Sequence, residues 1–252
     1  MTYARCGRIL RLESDGRWQV VVDGLSPGCH QIDAWDGALY VANTYANEVL
    51  CLNLENFRVI GRYLPRGALD QQRRSANYAH LNSLFLAADQ ALLLCHNETA
   101  KTGRPSEILV CDRQFRVRRT LLVDAASAHN LVPWKGELLV CDSGRNRLLH
   151  GGRTLAELGD FTRGLSVTDR AIAVGLSAYG RRHERGRLGG EVVLLDHAGR
   201  TLSRHAVPGM VQEIRALSTR DWGLSEQGEP GATLPAGLVA EEVVCTPKPM
   251  PC

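Results

Sequence analysis

Several common signatures are absent from this sequence of 252 residues. It contains neither a phosphate-binding loop nor a Gly-x-Gly-x-x-Gly dinucleotide fingerprint, which are two common nucleotide-binding motifs. It has eight cysteines but no Cys-x-x-Cys pair, so a structural zinc knuckle is not indicated. The first residues are polar, and no apolar run approaches the length of a membrane-spanning helix. We therefore expect a cytoplasmic protein with reduced thiols and no membrane contact.

The sequence also has only a small excess of positive charge. The formal net charge is +3, and a nucleic-acid-binding protein would normally show a basic stripe interleaved with aromatic residues. We therefore expect no nucleic-acid partner. The one local basic cluster, at residues 181–187, is interpreted either as a solvated loop or as a loop that faces an anion.

What the sequence does contain is a repeated hairpin. Residues 128–143 predict a short apolar strand, a turn around Lys135-Gly136 and a second apolar strand. Similar phrases occur at residues 29–44, 80–97 and 163–177. A second, tighter hairpin occurs five times, at residues 7–22, 49–60, 108–118, 147–157 and 192–204. Repeats of about 40–50 residues with four strands each are typical of a β-propeller.

The two ends of the chain predict how the ring closes. The hairpin at residues 7–22 has no partner before it, and residues 211–224 resemble the first hairpin without the second. Together they would form one composite blade, which removes exposed sheet edges. We therefore predict an all-β, five-bladed propeller as a single domain over residues 1–224. Residues 225–252 are rich in glycine and proline and predict a flexible tail, whose cysteines could bind a soft metal or form a disulfide.

Three histidines are predicted to converge at one mouth of the channel, where the first strands of all blades begin. Alignment on the second strands places His30, His129, Arg163 and Glu213 in equivalent positions, with His80 just upstream of the corresponding position. Neutral imidazoles bind iron, copper or zinc well. The sequence therefore predicts a transition-metal site of His30, His80 and His129. Two other interpretations stay open, which are a polar channel that binds an organic ligand and a purely structural role.

Further polar residues are predicted around the same mouth. Glu213 is a candidate fourth ligand or acid–base group, and Arg163 is a candidate catalytic residue that would orient a substrate. Arg163 and Arg145 could each hold a carboxylate or phosphate through two hydrogen bonds. The candidate substrate-binding residues are Asn82, His96, Asn97, Asp142, Ser143, Arg145 and Ser177.

A series of motifs resembles a known family. Cys141-Asp-Ser-Gly-Arg-Asn-Arg, Phe161-Thr-Arg-Gly-Leu and Ala173-Val-Gly-Leu-Ser occur in the order found in a largely uncharacterised bacterial β-propeller family, the domain-of-unknown-function 4915 type. This resemblance covers residues 128–178 and implies the propeller but no reaction. Phe161-Thr-Arg-Gly-Leu is also similar to a motif of plant-type glutaminyl cyclases, but Ala173-Val-Gly-Leu-Ser lacks the catalytic glutamate of that family. His80-Leu-Asn-Ser is similar to a channel motif of arylsulfotransferase-like propellers.

These features favour a metal-dependent enzyme that acts on a small molecule or peptide, as an oxidoreductase, a lyase or a cyclase. The alternative is a non-catalytic module that binds an organic ligand or a partner peptide at the same mouth. Propellers host both classes, so the fold does not decide between them. The metal hypothesis makes a geometric prediction. Nitrogens of the three histidines must come within about 4–5 Å of one another, because zinc–nitrogen bonds are about 2.0–2.1 Å long.

Overall fold

The computed structural model describes residues 7–26, 28–67, 79–178 and 188–228, and these ranges consist mainly of antiparallel β-sheet. The first two strands, β1 (Gly7–Leu12) and β2 (Trp18–Leu25), form a two-stranded sheet. Four four-stranded sheets follow, each built from consecutive strands. They are β3 (Cys29–Trp35), β4 (Ala38–Asn43), β5 (Glu48–Asn53) and β6 (Val59–Tyr63); β7 (Leu81–Leu86), β8 (Ala91–Cys95), β9 (Ser106–Cys111) and β10 (Val117–Val123); β11 (His129–Trp134), β12 (Glu137–Asp142), β13 (Arg147–His150) and β14 (Arg153–Glu157); and β15 (Phe161–Val167), β16 (Ile172–Ser177), β17 (Gly190–Leu195) and β18 (Thr201–Val207). A short helix, α1 (Thr99–Thr102), lies between β8 and β9.

The propeller fold is confirmed, but the prediction of five blades is wrong. The structure has four complete blades, and in the described ranges β1 pairs only with β2. Residues 211–224, predicted to supply two strands, contain no strand. The composite blade expected from pairing the two ends of the chain is therefore not formed by those residues. Within the same ranges, no helix has the length and apolar character of a membrane span.

Side chains hold residues 211–224 in an irregular path. The backbone N–H of Val211 donates to Ser177 Oγ at 3.0 Å. The N–H groups of Ala216 and Gly223 donate to the buried Asp221 carboxylate, each at 2.9 Å. These backbone N–H groups have hydrogen-bond partners without a neighbouring strand. A segment whose sequence resembles a strand can therefore remain irregular.

The first strands of the four blades line a central channel. Gln31 Oε1 accepts a hydrogen bond from Leu84 N at 2.9 Å and so links β3 to β7. Ser83 Oγ accepts one from Asn130 N at 2.9 Å, and Asn130 Oδ1 accepts one from Gly164 N at 2.7 Å. Side-chain hydrogen bonds thus connect β3, β7, β11 and β15 in order around the channel.

Residues that follow the last strand complete this ring. Trp222 N donates to Val167 O at 2.8 Å, at the end of β15. Ser225, the first residue of the predicted tail, is buried and donates through its N–H and hydroxyl to Asp33 of β3 at 3.0 and 2.5 Å. The tail from residue 229 onward, with Cys245 and Cys252, and the basic cluster at residues 181–187 lie outside the described residues.

Apolar side chains fill the spaces between neighbouring sheets. Leu94 of β8 packs with Leu131 of β11 in one buried cluster, and Leu139 of β12 packs with Val174 of β16 in the next. Every residue of β8 and β9 is buried, whereas the outermost strands β6 and β18 are largely exposed. This packing fixes the orientation of the inner strands and therefore of the polar residues at their ends.

Candidate metal centre

His30 enters the channel near the start of β3, five residues before the strand ends. Its Nδ1 lies 2.9 Å from the carbonyl oxygen of Gly28 and 2.7 Å from Thr44 Oγ1. The Thr44 hydroxyl in turn donates to Leu81 O at 2.5 Å. A carbonyl can only accept, so Nδ1 of His30 carries the proton and Nε2 keeps the lone pair that a metal ion needs.

His129 lies at the equivalent position of β11 and has the same kind of partners. Its Nδ1 lies 2.9 Å from Ser127 O and 2.9 Å from Ser143 Oγ. The Ser143 hydroxyl donates to Thr162 O at 2.5 Å, so it accepts from the imidazole. His129 is therefore also fixed with its proton on Nδ1 and a lone pair on Nε2.

His80 reaches the same place by a different route. It precedes β7 and has a left-handed backbone conformation with φ of 47°. Its Nδ1 lies 2.7 Å from Glu98 Oε1, and Lys101 Nζ lies 2.5 Å from Glu98 Oε2. A carboxylate at one ring nitrogen orients an imidazole and raises the basicity of the other nitrogen toward a metal ion.

The three predicted ligands come together. One ligand atom from each of His30, His80 and His129 lies within 4.8 Å of the other two. The ring centroids of His30 and His80 are 4.9 Å apart, and those of His30 and His129 are 6.4 Å apart. The distance condition is therefore met, and three protein ligands would leave an open position on a four-coordinate ion.

His96, predicted to bind substrate, is a fourth imidazole of this cluster. Its ring centroid lies 4.5 Å from that of His80 and 5.2 Å from that of His129. Its Nδ1 accepts a hydrogen bond from Glu98 N at 3.0 Å, so neutral His96 carries its proton on Nε2. Nε2 of His96 is therefore a hydrogen-bond donor, in contrast to Nε2 of His30 and His129. A second set of His80, His96 and Glu98 also has ligand atoms within 4.8 Å of one another.

Three imidazoles of the cluster, those of His80, His96 and His129, are held neutral. Burial, together with the neighbouring His96, lowers the pKa of His80 to about 4. Burial likewise lowers the pKa of His96 to about 4 and that of His129 well below its ordinary value. The positive charge of Arg163 acts on all three in the same direction. Metal ligation requires neutral imidazole, and these residues already have that form in the folded protein.

A cavity of about 270 Å³ opens beside the cluster. Arg163 and Asn82, both predicted site residues, line it together with Glu213. Glu213 accepts from Asn130 Nδ2 at 2.9 Å and pairs with Arg215 Nη1 at 2.9 Å. Burial raises the pKa of Glu213, and Arg215 opposes that shift. A carboxyl group with a raised pKa can exchange a proton at a reacting molecule.

A second cavity of about 390 Å³ lies on the other side of Glu213, between β3 and residues 213–227. His30 and Glu213 line both cavities. The irregular segment that replaces the predicted fifth blade therefore forms part of the wall of the candidate site.

Four predicted substrate-binding residues have structural partners instead. Asp142 is fully buried and accepts from Arg147 Nε at 2.7 Å, while Arg145 donates to Asp124 at 2.8 Å on the surface. Asn97 donates to Pro105 O at 2.9 Å. Ser177 Oγ accepts a hydrogen bond from Val211 N at 3.0 Å. None of the four lines either cavity, whereas Ser143 acts on the site through His129.

The predicted equivalence of Arg163 with the histidines needs a correction. Thr162 lies five residues before the end of β15, as His30 does in β3 and His129 does in β11. Thr162, and not Arg163, is therefore the residue equivalent to these two histidines. The turn between β15 and β16, at residues 168–171, is longer than the corresponding turns of the first and third blades. An alignment made on the second strands therefore selects a residue too close to β16. Arg163 nevertheless lines the cavity.

Sequence reasoning missed three contributors to the site. Glu98 is the partner of His80, Thr44 is the partner of His30, and Asn130 holds Glu213. One signal was present for Thr44, because it follows β4 as Ser143 follows β12, at the same place in the repeat. Glu98 has no such counterpart, because it belongs to an insertion.

Comparison with known proteins supports the fold and nothing finer. No family model and no curated protein matches the chain, so its resemblance to the 4915-type and glutaminyl cyclase families stays a prediction. Three solved propellers superpose with a TM-score of 0.58. A Bacteroides caccae protein of unknown function is 12% identical over 86% of this chain and 81% of its own. A protein provisionally assigned as a gluconolactonase is 14% identical, with coverages of 82% and 72%. A calcium-binding regucalcin from Agrobacterium tumefaciens is 12% identical, with coverages of 82% and 69%.

Proposed function

We propose that His30, His80 and His129 bind one transition-metal ion and that this centre acts on a small molecule or peptide at the channel mouth. The observation that carries the proposal is the convergence of three imidazoles whose ligand atoms lie within 4.8 Å. The partners at Nδ1 of His30 and His129 support it, because they leave both Nε2 atoms with lone pairs.

The donor set favours zinc, iron or copper over calcium. The regucalcin that shares this fold binds calcium, which prefers six to eight oxygen ligands. The three proposed ligands here are nitrogens, and imidazole suits zinc, copper and iron. Likeness of fold therefore does not extend to the kind of metal we propose.

The residues of the cavity wall have complementary roles in this proposal. The metal would supply Lewis acidity or a bound hydroxide at its open position. Glu213, whose pKa is raised by burial, would give or take a proton. Arg163 would hold a negatively charged part of the substrate, and Asn82 would help to orient it.

Elemental analysis tests the proposal. Protein purified without added metal, or after incubation with zinc and removal of excess, should contain about one transition-metal ion per chain. His129→Ala should lose the ion, whereas His205→Ala, which removes an exposed histidine of β18, should retain it. Wild-type protein that takes up neither zinc, iron nor copper would overturn the metal centre. It would leave the binding-module hypothesis for the same cavity.

A further inference from the structure

The first strand of the first blade is partly uncovered. All residues of β7 and β11 are buried, whereas Ile32 of β3 is 43% exposed. Apolar side chains fill the spaces between the complete blades. Beside β3 the neighbour is the irregular segment 213–227, and the cavity of about 390 Å³ lies between the two.

One wall of this cavity is apolar. Ile32 and Ala34 of β3, Leu39 of β4 and Leu224 contribute to it. Leu39 is held in place because it also packs with Ile9 of β1 in a buried cluster. An apolar group bound against these side chains would remove them from water, which is favourable.

The opposite wall offers a hydrogen-bond donor. Arg215 Nη1 lies 2.9 Å from Glu213 Oε1 and donates to the carbonyl oxygens of Leu165 and Ile214, each at 3.3 Å. Arg215 Nη2 is buried and has no hydrogen-bond partner among the described residues. A buried donor without an acceptor is costly, so a ligand that brings an acceptor atom to Nη2 would be stabilised.

The charges of the cavity wall restrict the kind of acceptor. Asp33, Glu213 and Glu226 line the cavity, and Arg215 is the one arginine or lysine among the described residues that does so. Glu226 forms no ion pair within the described ranges. An anionic ligand would therefore meet an excess of carboxylates, and a cationic ligand would leave Arg215 Nη2 without an acceptor. An uncharged oxygen acceptor avoids both costs.

The volume is sufficient for a small organic molecule. A cavity of about 390 Å³ equals the liquid volume of roughly thirteen water molecules at about 30 Å³ each. His30 and Glu213 line this cavity and the 270 Å³ cavity beside the histidine cluster. A bound molecule that extends past these two residues would therefore reach the proposed metal centre.

We propose that the 390 Å³ cavity binds an uncharged apolar group that carries a carbonyl-type oxygen. The apolar body lies against Ile32 and Leu39, and the oxygen accepts from Arg215 Nη2. This inference rests on the proposed function only for the approach of the ligand to the metal centre, because binding in this cavity requires no metal.

NMR titration of the metal-free protein with four small aromatic probes tests the proposal. Acetophenone has an apolar ring and a carbonyl oxygen, toluene lacks the acceptor, and benzoate and benzylamine carry a negative and a positive charge. Acetophenone should bind at least about tenfold more tightly than each of the other three. The amide resonances that shift should be those of β3 and residues 224–227.

Two variants and a matched control locate the binding. Ile32→Glu places a carboxylate in the apolar wall at an exposed position and should weaken acetophenone binding at least about tenfold. Ile60→Glu, at a residue of β6 that is 63% exposed and lines neither cavity, should leave it unchanged. Arg215→Lys removes Nη2 and should abolish the preference for acetophenone over toluene while toluene still binds.

Acetophenone that bound no more tightly than toluene, or an undiminished preference in a folded Arg215→Lys variant, would overturn the role of Arg215. Tighter binding of benzoate or benzylamine would overturn the uncharged class. Unchanged binding in a folded Ile32→Glu variant would overturn the assignment to this cavity, and no acetophenone binding up to its solubility limit would overturn the whole inference.

The metal content of the same preparations separates this inference from the proposed function. Protein that bound acetophenone but took up no zinc, iron or copper would overturn the metal centre and leave the cavity assignment intact. Protein that took up zinc but bound no acetophenone would keep the metal centre and overturn the cavity assignment.

Discussion

The first and third blades present their histidines with the same hydrogen bonds, and the second blade does not. His30 and His129 each place Nδ1 between a backbone carbonyl and a hydroxyl, from Thr44 and Ser143 respectively. His80 stands outside its strand and relies on Glu98. Two ligands are thus supplied by the repeat itself.

The third ligand depends on a departure from the repeat. Glu98 directly precedes α1 and has a left-handed backbone conformation, with φ of 50°. Among the described residues, α1 is the one α-helix, and it lies between the second and third strands of its blade. A polar channel formed by repetition alone would not require such an insertion beside a histidine, so this difference favours a specialised site.

The largest expected effect comes from removing either repeat-derived ligand. His30→Ala and His129→Ala should each weaken zinc binding by more than about 100-fold, since partners that only orient a ligand contribute about 10–100-fold. Competition with a chromophoric chelator would measure both affinities. If one variant lost binding and the other kept it, the two blades would not be equivalent.

Acid should destabilise the metal-free protein. The pKa of His96 is about 4 in the folded protein, against about 6.5 in an unfolded chain. Between pH 7 and pH 5 the unfolded chain takes up a proton that folded His96 does not, so stability present above pH 6.5 is lost as the pH falls. The loss contributed by His96 should be about 2 kcal/mol.

Urea denaturation at the two pH values would measure this loss. His96→Gln should lose about 2 kcal/mol less than wild type, and His205→Ala should lose as much as wild type. A wild-type protein equally stable at pH 7 and pH 5 would contradict the neutral state of the cluster.

Removing the hydroxyl partners should have a smaller effect. Thr44→Val and Ser143→Ala should each weaken zinc binding by about tenfold, because each imidazole would keep its carbonyl partner but lose the hydroxyl that helps to orient it. Chelator competition provides the comparison. Unequal losses in the two folded variants would show that the equivalence of the blades does not extend to their energetics.

The smallest effect is expected at a residue that sequence reasoning placed in the site. Arg145 is half exposed and pairs with Asp124 at the surface. Arg145→Ala should therefore change zinc binding less than twofold and stability by less than about 1 kcal/mol. A tenfold loss of zinc binding in the folded variant would show that Arg145 contributes to the site.

The repeat made the propeller and two of the ligands predictable. Alternating apolar and polar residues and the turn residues between them define each hairpin in the sequence. His30 and His129 occupy the same position in their hairpins, so they can be aligned with each other. His80 was harder to place because the turn at residues 87–90 is longer, and strict alignment pointed to Ser83. Predictions from local pattern thus succeed where the repeat is regular.

Long-range contacts account for the errors. Residues 211–224 are anchored by contacts with distant parts of the chain: Val211 N donates to Ser177 Oγ, and Ser166 Oγ donates to the Asp221 carboxylate. The apolar spacing of that segment resembles that of a strand, and its local sequence does not indicate the contacts with Ser177 and Ser166. The same limit applies to Glu98, since its proximity to His80 arises only when the insertion folds back.

The expected cytoplasmic location stays a prediction.

X-ray absorption spectroscopy of the zinc-loaded protein tests the central claim most directly. The account predicts a first coordination sphere with three nitrogen ligands at about 2.0–2.1 Å and the outer-shell scattering of imidazole rings. His205→Ala should give the same spectrum, and His129→Ala should lose one imidazole or the zinc. A first sphere of oxygen or sulfur without imidazole would contradict the three-histidine centre.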